Sequence, residues 1–127
     1  MRTTKRTLIT AALAAVAVIA LVSMLSPAAL GANTAIKAAG KENNVLVVSV
    51  DGGCTGVQAV KDGKIAATSQ QYPLKMAQLG VDAVVDFAKT GHKASGYTDT
   101  GVTLISDKAQ PGVDSKDTAF GLANCWG

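Results

Sequence analysis

Three polar side chains stand just after short strand candidates in this 127-residue chain. Asp51 comes after Val45-Leu46-Val47-Val48-Ser49-Val50, and Gln70 and Gln71 come after the stretch 64–69. A carboxylate supplies acceptor oxygens, and a primary amide supplies both donors and an acceptor. Brought together, such groups grip adjacent hydroxyls of a sugar, with the charge-assisted bonds to the carboxylate the stronger. Asp51 followed by Gly52-Gly53 also suits a turn in which the side chain bonds nearby backbone. Both readings stand on these residues alone.

Other chemistry has less to work with. The segment 50–56 is a glycine-rich turn of the kind that cradles phosphate, but it lacks the G-x-G-x-x-G spacing and the lysine of a P-loop. A carboxylate at its start repels phosphate. The sole histidine, His92, follows Thr90-Gly91 and reads as an exposed loop residue. No Gly-x-Ser-x-Gly elbow, zinc ligand set or paired-carboxylate motif accompanies it, so neither an enzyme nor a metal site is expected. Tyr72 and Trp126 carry rings able to stack on a sugar face. For Trp126, so near the terminus, packing is the expected role.

The elements that must position these groups alternate. Ser26-Pro27 supplies an N-cap and a first-turn proline, and Gly40 a C-cap, around a helix over 28–39. The run 45–50 is β-branched and nearly all apolar, as for a strand buried on both faces of a parallel sheet. A second helix starts near Thr55, which stands in capping-box spacing with Gln58, and ends at Asp62-Gly63. A strand over 64–69 and a helix from Pro73 to about Lys89 come next. Leu74, Ala77, Val81, Val84, Val85 and Ala88 form an apolar stripe on that helix. Residues 101–106 read as the last strand, and 107–127 as an irregular tail with one helical turn near 117–122. This order predicts an α/β fold, a parallel open sheet with flanking helices. In such sheets ligands bind beyond the carboxyl ends of the strands, where Asp51, Gln70 and Gln71 stand.

The start of the chain reads differently. Arg2, Lys5 and Arg6 precede an uncharged apolar run over 8–25, and small residues follow. That is the layout of an export signal. The run is also just long enough to act as a membrane anchor. We therefore expect a signal peptide or anchor over 1–26 and an exported domain over 27–127. All nine acidic residues lie in the second part, where Lys and Arg match them, so the formal +3 belongs to the leader. A balanced domain lacks the basic patch of a nucleic-acid binder. Cys54 and Cys125 suit an oxidising compartment and are expected to pair, with two buried thiols as the alternative.

From Pro27 onward the chain resembles the C-terminal part of ribose- and fructose-type sugar-binding proteins of ABC transporters, the type I periplasmic binding proteins. The resemblance is carried by Pro27-Ala28-Ala29-Leu30-Gly31-Ala32, by the strand with Asp51-Gly52, by Val60-Lys61-Asp62-Gly63-Lys64-Ile65-Ala66-Ala67-Thr68 and by Gln70-Gln71-Tyr72-Pro73. The ending Asn124-Cys125-Trp126-Gly127, with Cys54, is similar to the fructose-type branch. The resemblance implies that Asp51 and Gln71 bind sugar hydroxyls, with Gln70 a neighbour. It implies a pentose or hexose ligand, a membrane permease as partner, a periplasmic location and no cofactor. An asparagine ligand of the family would fall near Leu25, inside the leader. Family members close two lobes on the sugar by hinge motion, and only part of the second lobe is matched here. The expectation is a lobe fragment behind a signal sequence; the alternative is an exported or anchored remnant that binds nothing. Regulators of the lactose-repressor type share the fold, but an export signal without a helix-turn-helix argues against them.

Overall fold

The computed structural model describes residues 19–23, 25–108 and 111–127. The expected signal or anchor over 1–26 lies largely outside them. Within that run, Ile19–Ser23 is the first strand, β1, and pairs in parallel with β2, Val45–Asp51. β2 pairs in parallel with β3, Ala67–Gln70, with Asp51 opposite Gln70. β3 pairs antiparallel with β4, Thr103–Ser106, and β4 pairs in parallel with the short β5, Ser115–Lys116. The sheet is open, in the order β1-β2-β3-β4-β5, and flanked by helices. It is mixed where a wholly parallel one was expected. The chain leaves β3 at its carboxyl end and comes back into β4 at that same end, because Gln70 faces Thr103. No crossover carries it to the far edge, and without one parallel pairing is impossible.

α1 (Ser26–Ala38), α2 (Cys54–Lys61) and α4 (Thr118–Asn124) lie side by side, α2 between the other two. Between them and the sheet sits the core. Ala29, Val47, Ala59, Val60 and Ile65 form one buried cluster, extended by Leu30, Ile36 and Val45. Gly121 of α4 comes so close to α2 and β4 that a Cβ there would lie 2.8 Å from Val57 Cγ1 and 2.9 Å from Ile105 Cγ2. Inside this layer the Ser49 hydroxyl donates to Thr68 Oγ1 at 2.9 Å, so two polar strand residues satisfy each other. The other face of β2 is less covered: Val48 and Val50 are half-buried and Leu46 is exposed. Burial on both faces, expected from the apolar run, is met on one face among the described residues.

Several helix ends differ from expectation. α1 begins at Ser26 with Leu25 as N-cap, and the Ser26 hydroxyl is buried without a hydrogen-bond partner among the described residues. It packs where Gly56 would carry a side chain, so α1 and α2 touch closely. The capping box of Thr55 and Gln58 does not form. α2 starts earlier, at Cys54, and Gln58 Nε2 reaches forward to Asp62 Oδ1 at 2.7 Å. Lys64 and then Gln58 bond the Asp62 carboxyl and hold it below the ordinary carboxylate range. α4 has the cap its sequence suits, Asp117 Oδ1 accepting from the Phe120 N–H at 2.8 Å.

The long helix α3 spans Pro73–Thr90 and stops at Gly91, whose φ of 73° is the left-handed C-cap. None of its residues is buried. Leu74, Val81 and Val84 of the apolar stripe are 77%, 62% and 68% exposed. The stripe is real, but none of the described elements packs extensively against it. Polar additions there are therefore tolerated. Val84→Lys should change unfolding free energy by less than about 0.5 kcal/mol. Gln70→Ala should lower it by about 3 kcal/mol, because it strips two buried carbonyls of their donor. Urea unfolding followed by far-ultraviolet circular dichroism checks both.

Candidate functional site

The carboxyl ends of β2 and β3 are one edge of the sheet, and the turn after β2 sets its geometry. Asp51 has φ of 86°, the only positive φ among described non-glycine residues, and Gly52 follows at 59°. Aspartate tolerates this region better than most residues because its short side chain is polar. Gly52 has no substitute: a Cβ there would fall on the Cα and Cβ of Gln70. The Gln71 N–H donates to the Asp51 carbonyl at 3.0 Å, which continues the β2–β3 pairing one step past the strands. Asp51 and Gln71 thus occupy the same sheet edge.

Gln70 is placed differently from its two neighbours. It is fully buried, and its Nε2 donates to Gly52 O at 3.1 Å and Gly121 O at 2.9 Å. Its Oε1 accepts from no group among the described residues. The amide is a tie between β3, the turn after β2 and α4.

A hollow of about 280 Å³ opens at this edge. Among the residues around it are Leu25, Ser26, Asp51, Gly53, Cys54 and Trp126. Leu25 stands where the resemblance would put an asparagine; it is 54% exposed and offers an apolar surface. Gln71 is half-buried beside the hollow's edge strand and is not among its lining residues. Tyr72, next along, has its hydroxyl against Thr103 Oγ1 at 2.6 Å. That bond closes the neck through which residues 71–102 leave the sheet and return to it.

Cys54 and Cys125 form a disulfide, with Cα atoms 4.9 Å apart and a separation of 71 positions in sequence. The bond is reinforced by the Cys54 N–H, which donates to Trp126 O at 3.0 Å. The consequence is the position of Trp126. Its indole atoms Cε2 and Cζ2 lie 3.7 Å from where a Cβ of Gly53 would stand, so the ring lies along the turn that carries Asp51. Sequence reasoning gave this residue a packing role. The signal that would have placed it was the cysteine pairing: Cys54 is three residues beyond Asp51 and Cys125 adjoins Trp126. His92 pairs with Asp86 through Nδ1 at 2.9 Å, both exposed on and after α3, away from this edge. Among the described residues no cluster of His, Cys, Asp and Glu is arranged to hold a metal ion. No described helix is long and apolar enough to cross a membrane.

Reduction should act on this edge first. Closing a loop of this length is worth about 4 kcal/mol in the chain-entropy picture. Dithiothreitol, or Cys125→Ser, should lower stability by about that amount and shift Trp126 emission to the red as the indole leaves the turn. Fluorescence-detected urea unfolding with and without reductant measures both.

No family model matches the chain. Among curated proteins it is 43% identical over 79 residues to the ribose import binding protein of Haemophilus influenzae, covering 62% of this chain and 26% of that protein. Among solved structures it is similar to the periplasmic binding protein component of the arabinose ABC transporter from Shewanella sp. ANA-3, bound to α- and β-L-arabinofuranose. That match has a TM-score of 0.58 and 33% identity, and covers 68% of this chain and 30% of that one. An ABC transporter solute binding protein from Agrobacterium vitis with bound D-fucose matches with a TM-score of 0.58 and 31% identity, covering 69% and 30%. The chain spans about a quarter of the length of the curated relatives it matches. Sequence and fold agree: over the matched stretch the chain is similar to sugar-binding proteins of ABC transporters, and it spans about a quarter to a third of their length.

Proposed function

We propose that this chain carries one wall of a monosaccharide site, as part of an exported binding component that delivers a pentose or hexose to a membrane permease. Binding and delivery, with no catalysis, are its role, and the periplasm is its place of action. The observation that carries this reading is the strained turn at the end of β2. It sets Asp51 at the rim of a hollow on the sheet edge shared with Gln71. Backbone held in a sparsely populated conformation costs about 1–3 kcal/mol and is concentrated at functional sites. Asp51 and Gln71 take the sugar hydroxyls, and buried Gln70 holds their two strands in register. The relatives named above support the ligand class, since one is named for ribose import and others hold L-arabinofuranose or D-fucose.

A single wall binds weakly. Each net hydrogen bond exposed to water is worth about 0.5–1.5 kcal/mol, and association itself costs about 4 kcal/mol or more. The isolated chain should therefore bind its sugar with a Kd in the millimolar range or above. Titrating the labelled chain with a panel of pentoses and hexoses, followed by nuclear magnetic resonance, is the test. The amides of Asp51 and Gln71 should shift, and Asp51→Ala should abolish the shifts. A chain that answers none of the sugars is the non-binding remnant instead.

A further inference from the structure

The hollow beside Asp51 is unequal in character. Asp51 is the one charged residue that lines it, while Leu25, Pro27, Gly53 and Trp126 are among the residues of a mainly apolar wall. Trp126 is the only tryptophan in the chain, and it is 37% exposed, so part of its surface is open to a ligand. No described protein group accepts from its ring N–H. Trp126 also lines a second, smaller hollow of about 200 Å³, with Tyr72, Pro73 and Leu74 at the neck of the 71–102 excursion. It thus stands between the end of β2 and the segment that begins just after Gln71.

A monosaccharide is itself two-sided. Its hydroxyls lie around the rim and its C–H bonds gather on one face of the ring. A carboxylate beside a flat aromatic surface matches that pattern: the carboxylate takes hydroxyls and the ring takes the C–H face. An indole N–H left free at the ring edge adds one donor. We propose that Trp126 is a sugar-contacting residue of this site, stacking on the C–H face of the monosaccharide whose hydroxyls Asp51 holds. Cys54–Cys125 is the positioning element that keeps the indole there. The inference rests on the sugar-binding reading above and adds to it a residue contributed by the extreme carboxyl end of the chain. It also makes binding depend on the oxidised state, because the disulfide and the Cys54 N–H bond fix Trp126 against the turn.

The test is a sugar titration of the oxidised full chain in which Asp51 and Gln71 amides and the Trp126 indole N–H are followed together. All three should move with one Kd, and nuclear Overhauser contacts should join indole protons to sugar ring C–H protons. Trp126→Ala should weaken binding about three- to tenfold, Trp126→Phe should restore most of it, and dithiothreitol should mimic the alanine change. If Asp51 and Gln71 respond while the indole does not, and Trp126→Ala binds as tightly as the parent, the inference is overturned and the sugar site stands without it. If none of the three responds, the sugar-binding reading fails and this one with it. Should Trp126→Ala not fold, the indole shift and the Overhauser contacts in the parent chain decide the matter alone.

Discussion

The buried amide of Gln70 is the constraint on which the functional edge depends. Its Nε2 serves two carbonyls at once, Gly52 in the turn after β2 and Gly121 in α4. A carbonyl left unpaired in the interior costs about 1–3 kcal/mol, so neither segment can drift from β3 without penalty. The turn is the part that most needs holding. Asp51 and Gly52 both have positive φ, and the close approach of Gly52 to Gln70 leaves no room for a side chain. The strain at Asp51 is sustained because the Gln71 N–H and the Gln70 amide grip two successive carbonyls, those of Asp51 and Gly52.

The second tie is covalent. Cys54–Cys125 brings the last residues of the chain back to the first turn of α2, directly beyond Asp51. Together with Gly121 packed against Val57 and Ile105, it makes α4 and the carboxyl terminus part of the wall around the strand ends. Local sequence here is short of hydrophobic bulk. The core cluster consists largely of alanine, valine and isoleucine, so close approach and cross-linking take on a larger share of the stability.

The excursion over 71–102 has the opposite character. It leaves and re-enters at the same edge, is pinned at its neck by Tyr72 and Thr103, and carries an eighteen-residue helix with no buried residue. A helix with so broad an apolar surface ordinarily lies against a core. In the described residues it contributes little to the packing that holds the sheet edge. The site and the base of this excursion nonetheless share the residues next to Gln71, so the backbone that presents the glutamine also anchors the helix.

Local rules read directly from the sequence placed most elements. Pro27 and Pro73 mark helix starts, Gly91 is a left-handed stop, and the β-branched run at 45–50 is a strand ending at Asp51. These follow from φ restriction and apolar spacing, which need no distant partner. The common edge of Asp51 and Gln71 was legible too, since one ends and the other directly follows a strand of a parallel pair. Three features were not. Whether an apolar stretch such as Ile19–Ser23 serves as leader or as strand cannot be told from composition, because both uses require the same residues. Gln70 and Gln71 are neighbours of one chemical type. Strand alternation sends one into the core and leaves the other half-buried, and the register that decides which comes from pairing with β2 and β4. Trp126 reaches the turn only through a disulfide spanning 71 residues. The sequence alone determined which groups stand at the ends of which strands. Tertiary structure decided which of them face open space, because burial and the pairing of distant segments are properties of the assembled sheet and helices.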